Sequence, residues 1–277
     1  KTGWRFAGWA ASADGAVAYA DQAAYKMGTG NMTLFAKWSI NTNQVAFDKN
    51  DAAATGSMSL QSIAYGATAA LTANTFAKTG CSFAGWATNA AGAVVYADKA
   101  NYTMGTNGQT LFAKWTNNLY RVTFDKNDAA ATGSMSQQVI AYQASANLTA
   151  NGFALTGKFF GGWATSPTGA IVYANQGSYT MGAGNVTLYA IWVDEQYTVS
   201  FDANGGSAVA SQTVGHGGLV ALPADPTRSG HVFAGWYADS GLTTLWNFAS
   251  RTVTASTTIY AKWIAQYAVT FNVDGGS

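Results

Sequence analysis

Histidine, cysteine and proline are nearly missing from this sequence, with two, one and three residues in 277. The single thiol, Cys81, excludes an intrachain disulfide framework and any cysteine-rich zinc site. The histidines, His216 and His231, leave little material for a hydrolytic triad. Charge is scarce as well. Only 10% of residues are Asp, Glu, Lys or Arg and the formal net charge is +1, so the chain has no field to hold nucleic acid or an anionic membrane. No apolar run approaches the roughly 18 residues a membrane-spanning helix needs, and no glycine-rich phosphate loop joins a strand to a helix. Lys1 is not an initiator methionine and sits inside a repeated pattern, so any targeting segment is expected to lie outside this sequence. No cofactor and no metal is expected.

What is abundant is repetition. Phe-x-Gly-Trp occurs at Phe6 to Trp9, Phe83 to Trp86, Phe160 to Trp163 and Phe233 to Trp236. A second marker keeps the same beat at Ala36-Lys37-Trp38, Ala113-Lys114-Trp115, Ala190-Ile191-Trp192 and Ala261-Lys262-Trp263. A third, Phe47-Asp48, Phe124-Asp125 and Phe201-Asp202, opens each unit and returns as Phe271-Asn272. The period is that of a small domain rather than a solenoid turn. It divides the chain into the C-terminal part of a repeat at 1–38, complete repeats at 44–115, 120–192 and 197–263, and the first strand of a further repeat at 267–277.

Domains this small bury modest cores, and with no disulfides the large apolar groups must supply the stability. Eight of the ten tryptophans fall on the two repeated Trp positions, so core packing is their expected role. The core set read this way is Phe83, Gly85, Trp86, Trp115, Phe124, Trp163, Trp192, Phe201, Trp236 and Trp263. Tyr120-Arg121-Val122-Thr123-Phe124 alternates in the period of two that marks a half-buried strand, with Tyr, Val and Phe on one face. The opening strand and a second one near Met58 to Tyr65 form a hairpin, and the sheet is antiparallel or mixed. Leu71 to Gly80 crosses to the Phe-x-Gly-Trp strand as extended chain or with one helical turn. The glycine inside Phe-Ala-Gly-Trp marks a bulge or a close backbone approach. Linkers as short as Thr116 to Leu119 predict restricted joints and units laid end to end.

Val-Thr-Phe-Asp, a Gly-rich turn, Phe-Ala-Gly-Trp and Leu-Tyr-Ala-Lys-Trp in succession resemble the internalin B-repeat family, also called Listeria-Bacteroides repeats. The third complete repeat follows it most closely, through Tyr197 to Phe201, Asn204-Gly205-Gly206, Pro226-Thr227-Arg228, Phe233 to Tyr237 and Ile259 to Trp263. The resemblance implies mainly β (α+β), tandem β-grasp-like small domains with little helix. It also implies large bacterial surface proteins with adhesive or spacer roles, and it brings no catalytic residues. The first two complete repeats depart at the turn, where Asn50-Asp51 and Asn127-Asp128 replace Gly-Gly.

Each chemical candidate has a plainer reading beside it. His231 shares its slot with Trp4, Cys81 and Lys158, and His216 replaces Tyr65 and Tyr142, so both read as structural or surface residues. Asp48-x-Asn50-Asp51 offers oxygen ligands but lacks the later bidentate Glu of an EF-hand, and an Asx turn explains it. Lys37, Lys114 and Lys262 invite a crosslink reading, which Ile191 at the same place opposes. Exposed Trp and Tyr as a glycan groove is the best binding alternative. The expected function is therefore a non-enzymatic, extracellular or cell-surface array: stalk, adhesin segment or fibre. A glycan- or protein-binding module is the alternative. Neighbouring repeats are the expected partners, with filament formation or a host protein or glycan as further ones. At the ends, a window cut from a longer array competes with head-to-tail strand complementation.

Overall fold

The alternating segments form strands. The computed structural model describes residues 1–272 and 274, and among them there is no helix. The mainly β expectation thus holds without the helical part of an α+β class. The crossing segment shows why. Leu71 and Phe76 are both buried, at 2% and 8% exposure, yet five positions on a helix of 3.6 residues per turn would point them in different directions. An Asx bend re-aims the chain instead, with the Asn74 side-chain oxygen accepting from the Phe76 N–H at 3.0 Å. Of the stretch 267–277, expected to be the first strand of a further repeat, residues 267–272 and 274 are described. Tyr267, Val269 and Phe271 alternate as a strand should, but residues 267–272 carry no ladder and these three side chains are 76–87% exposed. Of the turn expected at Asp274-Gly275-Gly276, the two glycines lie outside the described residues.

The chain separates into two compact units. One holds Lys1–Tyr120 with Val139–Ser145 and Thr180–Asn185; the other holds Arg121–Gln138, Ala146–Tyr179 and everything from Val186. In the first, a four-stranded sheet runs in the order Gln61–Ala64, Thr42–Asp48, Gln109–Asn117, Cys81–Ala87. Its outer pairs are antiparallel, while the two central strands, the first and last of the repeat, are parallel from Val45↔Gln109 to Asp48↔Phe112. The sheet is mixed. One face is covered by the crossing segment and by a short antiparallel ladder of Thr68–Ala70 with Asn101–Thr103. Residues 1–40 add an antiparallel pair, Trp4–Ala10 with Phe35–Ile40.

The second unit repeats the plan with strands Gln212–Gly215, Gln196–Asp202, Thr257–Ala265 and His231–Tyr237 in sheet order. It also holds the parallel pairing of Val122 to Asp125 with Val186 to Tyr189, flanked by Lys158–Ala164. Val122 and Phe124 are buried and Arg121 is exposed, so the alternation of that strand covers a core on one side.

Strict alternation would send Phe83 and Trp86 to opposite faces. A bulge between Phe83 and Gly85 restores them to the same one, with ring centroids 4.8 Å apart at an edge-on angle. Gly85 carries φ +138°, and a β-carbon there would stand 2.6 Å from the Tyr96 carbonyl oxygen. That close approach has a purpose: the Trp86 N–H donates to the Tyr96 oxygen at 2.7 Å, and the Tyr96 N–H returns a bond to Trp86 at 3.1 Å. The returning chain so occupies the outer edge of the bulged strand, a row of polar groups that would otherwise invite another strand.

Candidate functional site

The repeated tryptophans occupy two different environments. Trp86, Trp163 and Trp236 are at most 2% exposed. Trp86 sits among Phe47, Phe76 and Phe83, at centroid distances of 4.9, 6.2 and 4.8 Å. Its indole N–H finds no hydrogen-bond partner, a cost of about 1–3 kcal/mol that burying the large ring surface must outweigh. Trp115, Trp192 and Trp263 are only partly buried, and Trp115 and Trp263 pack against the edges of their cores. They close the rim. Each donates its indole N–H to a turn carbonyl, of Lys49, Lys126 and Ala203 respectively, at 2.8–3.0 Å. Phe124 is buried, whereas Phe83 and Phe201 pack partly buried against their cores.

The turn those carbonyls belong to is centred on an asparagine. Asn50, Asn127 and Asn204 all hold positive φ, between 45° and 55°. Their side-chain amides reach across to Ala113, Ala190 and Ala261, the carbonyls of the closing strand, at 2.7–3.0 Å. Their backbone N–H groups bond Asp48, Asp125 and Asp202. Asn tolerates this left-handed conformation better than most residues. A second node, Gln61, Gln138 and Gln212, clasps the chain nine residues on, donating to Ala70, Asn147 and Ala221. Recurrence at the repeat period was the available signal for both.

The acidic residues of the turn are therefore engaged within it. Asp51 accepts from the Ala53 N–H and pairs with Lys78 at 2.6 Å. The Lys78 hydrogen bond, then that of Ala53, holds the Asp51 carboxyl below its ordinary value. A depressed folded-state value means stability that is fully present above the ordinary carboxylate range and is lost as pH falls through the folded value. Asp51→Asn is thus expected to narrow the gap between urea midpoints at neutral pH and in acid, and an unchanged gap would rule the linkage out. Lys37, Lys114 and Lys262 bond the loop carbonyls of Ala13, Ala90 and Leu242. No group of three or more His, Cys, Asp or Glu suited to a metal occurs among the described residues.

The joints between repeats are built from one recurring contact. Asn118 donates to Gly80 and accepts from Tyr142, both at 2.8 Å, so the chain passing from one repeat to the next is bonded on either side. The Tyr142 ring lies against Gly80, where a β-carbon would come within 2.4 Å of it. Asn41 relates Gly3 to Tyr65 in the same way, and Glu195 relates Gly157 to His216. His216 is thus a joint residue. Its Nδ1 lies 3.2 Å from the Tyr197 hydroxyl, which donates to Glu195 and has its pKa raised chiefly by that bond. His231 is elsewhere, with Nδ1 against the Ser229 carbonyl at 3.0 Å, so the two imidazoles share no centre. Cys81, partly buried, places its sulfur 3.2 Å from Asn117 Oδ1 beside the Gly80 joint.

The sequence relatives agree with this repeating geometry. A protein of Evansella cellulosilytica described as a Gly-rich membrane protein is 34% identical over 285 aligned residues, which take in 100% of this chain and 32% of that protein. A second membrane protein of the same organism is 38% identical over 61% of the chain and 24% of its own length. Internalin H of Listeria monocytogenes is 33% identical over 39% of the chain and 19% of its own length. The chain spans a third or less of each of these relatives. Four stretches in succession, residues 1–37, 44–114, 120–191 and 197–262, match the Listeria-Bacteroides repeat domain. With the bulged Gly-Trp strand, the Trp-capped turn and the ring-on-glycine joint recurring in the same order, the chain belongs to the Listeria-Bacteroides repeat family.

Proposed function

We propose that the chain is a non-enzymatic structural section of a bacterial cell-surface or extracellular protein, a stalk or adhesin segment made of β-grasp-like domains following one another end to end. The observation that carries this reading is the joint. Each repeat ends by running directly into the opening strand of the next, and a ring on a glycine fixes the step. The boundaries 44–115, 120–192 and 197–263 are part of the proposal, as is the assignment of the repeated Phe, Gly and Trp residues to structure. The four-stranded order, with first and last strands parallel at the centre and an antiparallel strand on either side, supports the β-grasp-like description. Membership of a repeat family represented in Internalin H supports the surface location.

The alternative, a glycan- or protein-binding module, needs accessible aromatic faces. In the complete repeats the Gly-Trp tryptophans are buried and the rim tryptophans are committed to turn carbonyls, which favours the structural reading. A glycan and cell-surface screen of the intact chain tests it. The structural proposal expects no saturable ligand. Saturable micromolar binding abolished by changing Trp115 or Trp192 would install the binding reading in its place. Small-angle scattering tests the end-to-end arrangement, and a profile as compact as that of one globule of this mass would defeat it.

A further inference from the structure

Three Asn-Gly pairs occur in the chain, at Asn107-Gly108, Asn151-Gly152 and Asn204-Gly205, and the fold treats them differently. Glycine after asparagine leaves the backbone nitrogen unshielded by a side chain, so that nitrogen can attack the side-chain carbonyl carbon. Whether it does depends on how freely the asparagine side chain turns toward it. Asn204 is tied at the turn by its bond to Ala261 at 2.7 Å, and its own N–H is bonded to Asp202. Asn151 is held twice, donating to the Phe153 carbonyl at 2.9 Å and accepting from the Phe153 N–H at 3.0 Å. Asn107 is exposed, as is Gly108, and its side chain makes no hydrogen bond among the described residues. It stands in a three-residue span between Gly105, whose carbonyl accepts from Asn43 at 2.9 Å, and the ladder that begins at Gln109.

We propose that Asn107 is a site of spontaneous covalent modification, deamidating through a cyclic imide. The Gly108 nitrogen forms a bond to the Asn107 side-chain carbonyl carbon, the carbon–nitrogen bond of the carboxamide breaks, and ammonia leaves with the proton the Gly108 nitrogen gives up. Water then opens the five-membered imide at either carbonyl. One opening yields aspartate in the normal chain; the other yields isoaspartate, with the side-chain methylene inserted into the backbone. Either product adds one negative charge to a chain whose formal net charge is +1. The isoaspartate product lengthens the span just before the central parallel ladder, where Gly108 already sits close enough to Gln44 that a β-carbon would meet its carbonyl oxygen at 2.8 Å. Two other repeats reverse the order at this place, with Gly184-Asn185 and Gly30-Asn31, and the repeat at 197–263 has Ala255-Ser256, so none of them has the reactive pair.

The test is to age the full chain in mildly alkaline buffer and follow the three peptides by mass spectrometry, with an isoaspartate-specific methyltransferase as the second readout. Native Asn107 is expected to convert faster than Asn151 and Asn204 by on the order of tenfold, since the latter must first break hydrogen bonds. In concentrated urea the three rates should converge. The exchanged pair Asn107→Gly with Gly108→Asn should silence that peptide. Native rates that are equal, or an Asn107 lead that persists undiminished in urea, would overturn the proposal.

Discussion

Trp86→Ala is expected to destabilise its repeat by about 3–5 kcal/mol in urea unfolding, the range for removing a fully buried large aromatic side chain. The ring is 0% exposed and meets three phenylalanines, so its removal leaves a cavity that the surrounding side chains fill only in part. Against the roughly 5–15 kcal/mol that stabilises ordinary folded proteins, such a loss removes most of what a domain of this size has. Trp115→Ala serves as the comparison. It loses the rim contact with Phe83 at 5.9 Å and the bond to Lys49, from a site already partly open to solvent. Its cost should therefore fall below that of Trp86→Ala. Equal costs, or a Trp86→Ala loss under about 1 kcal/mol, would show that the bulged-strand tryptophan is not the centre of the core.

The second large effect is expected at Gly85. Changing it to Ala places a β-carbon 2.6 Å from both the Tyr96 carbonyl oxygen and Val94 Cγ1 at a φ of +138°. Backbone strain of about 1–3 kcal/mol and overpacking of similar size should sum to about 2–6 kcal/mol. The equivalent Gly235 offers a graded control. There a β-carbon meets only the end of Leu245, at 3.2 Å and φ +117°. Gly235→Ala should cost less than Gly85→Ala, and chemical denaturation of the two variants would expose the reverse order.

Much of this architecture was legible because it recurs. The glycine within Phe-Ala-Gly-Trp pointed to a bulge or close approach, and the bulge brings Phe83 and Trp86 together as the alternation alone could not. The rank of the two tryptophans was less legible. Trp115 lies in register with the buried Leu111 and Ala113, but the pattern cannot show where along a strand the core ends. Its indole N–H, with a carbonyl to bond at the rim, fits that end. Asn50 and Gln61 look like ordinary loop and strand-edge polar residues, because their work is done over separations of 63 and 9 residues. The parallel pairing of first and last strands likewise depends on long-range contact. Period-two alternation is the same whichever way a neighbour runs.

That parallel pairing governs how a repeat responds to force. In residues 42–117 the first strand, Thr42–Asp48, and the last, Gln109–Asn117, lie side by side and point the same way. Pulling the two ends of the repeat apart slides these strands along each other, so the ladder from Val45↔Gln109 to Asp48↔Phe112 is loaded in shear and its hydrogen bonds must fail together. An antiparallel pair pulled from its open end would unzip one bond at a time. The pairing of Val199 to Asp202 with Thr257 to Tyr260 has the same geometry. Resistance to extension in these repeats is thus set by strand direction, separately from the burial that sets their resistance to urea.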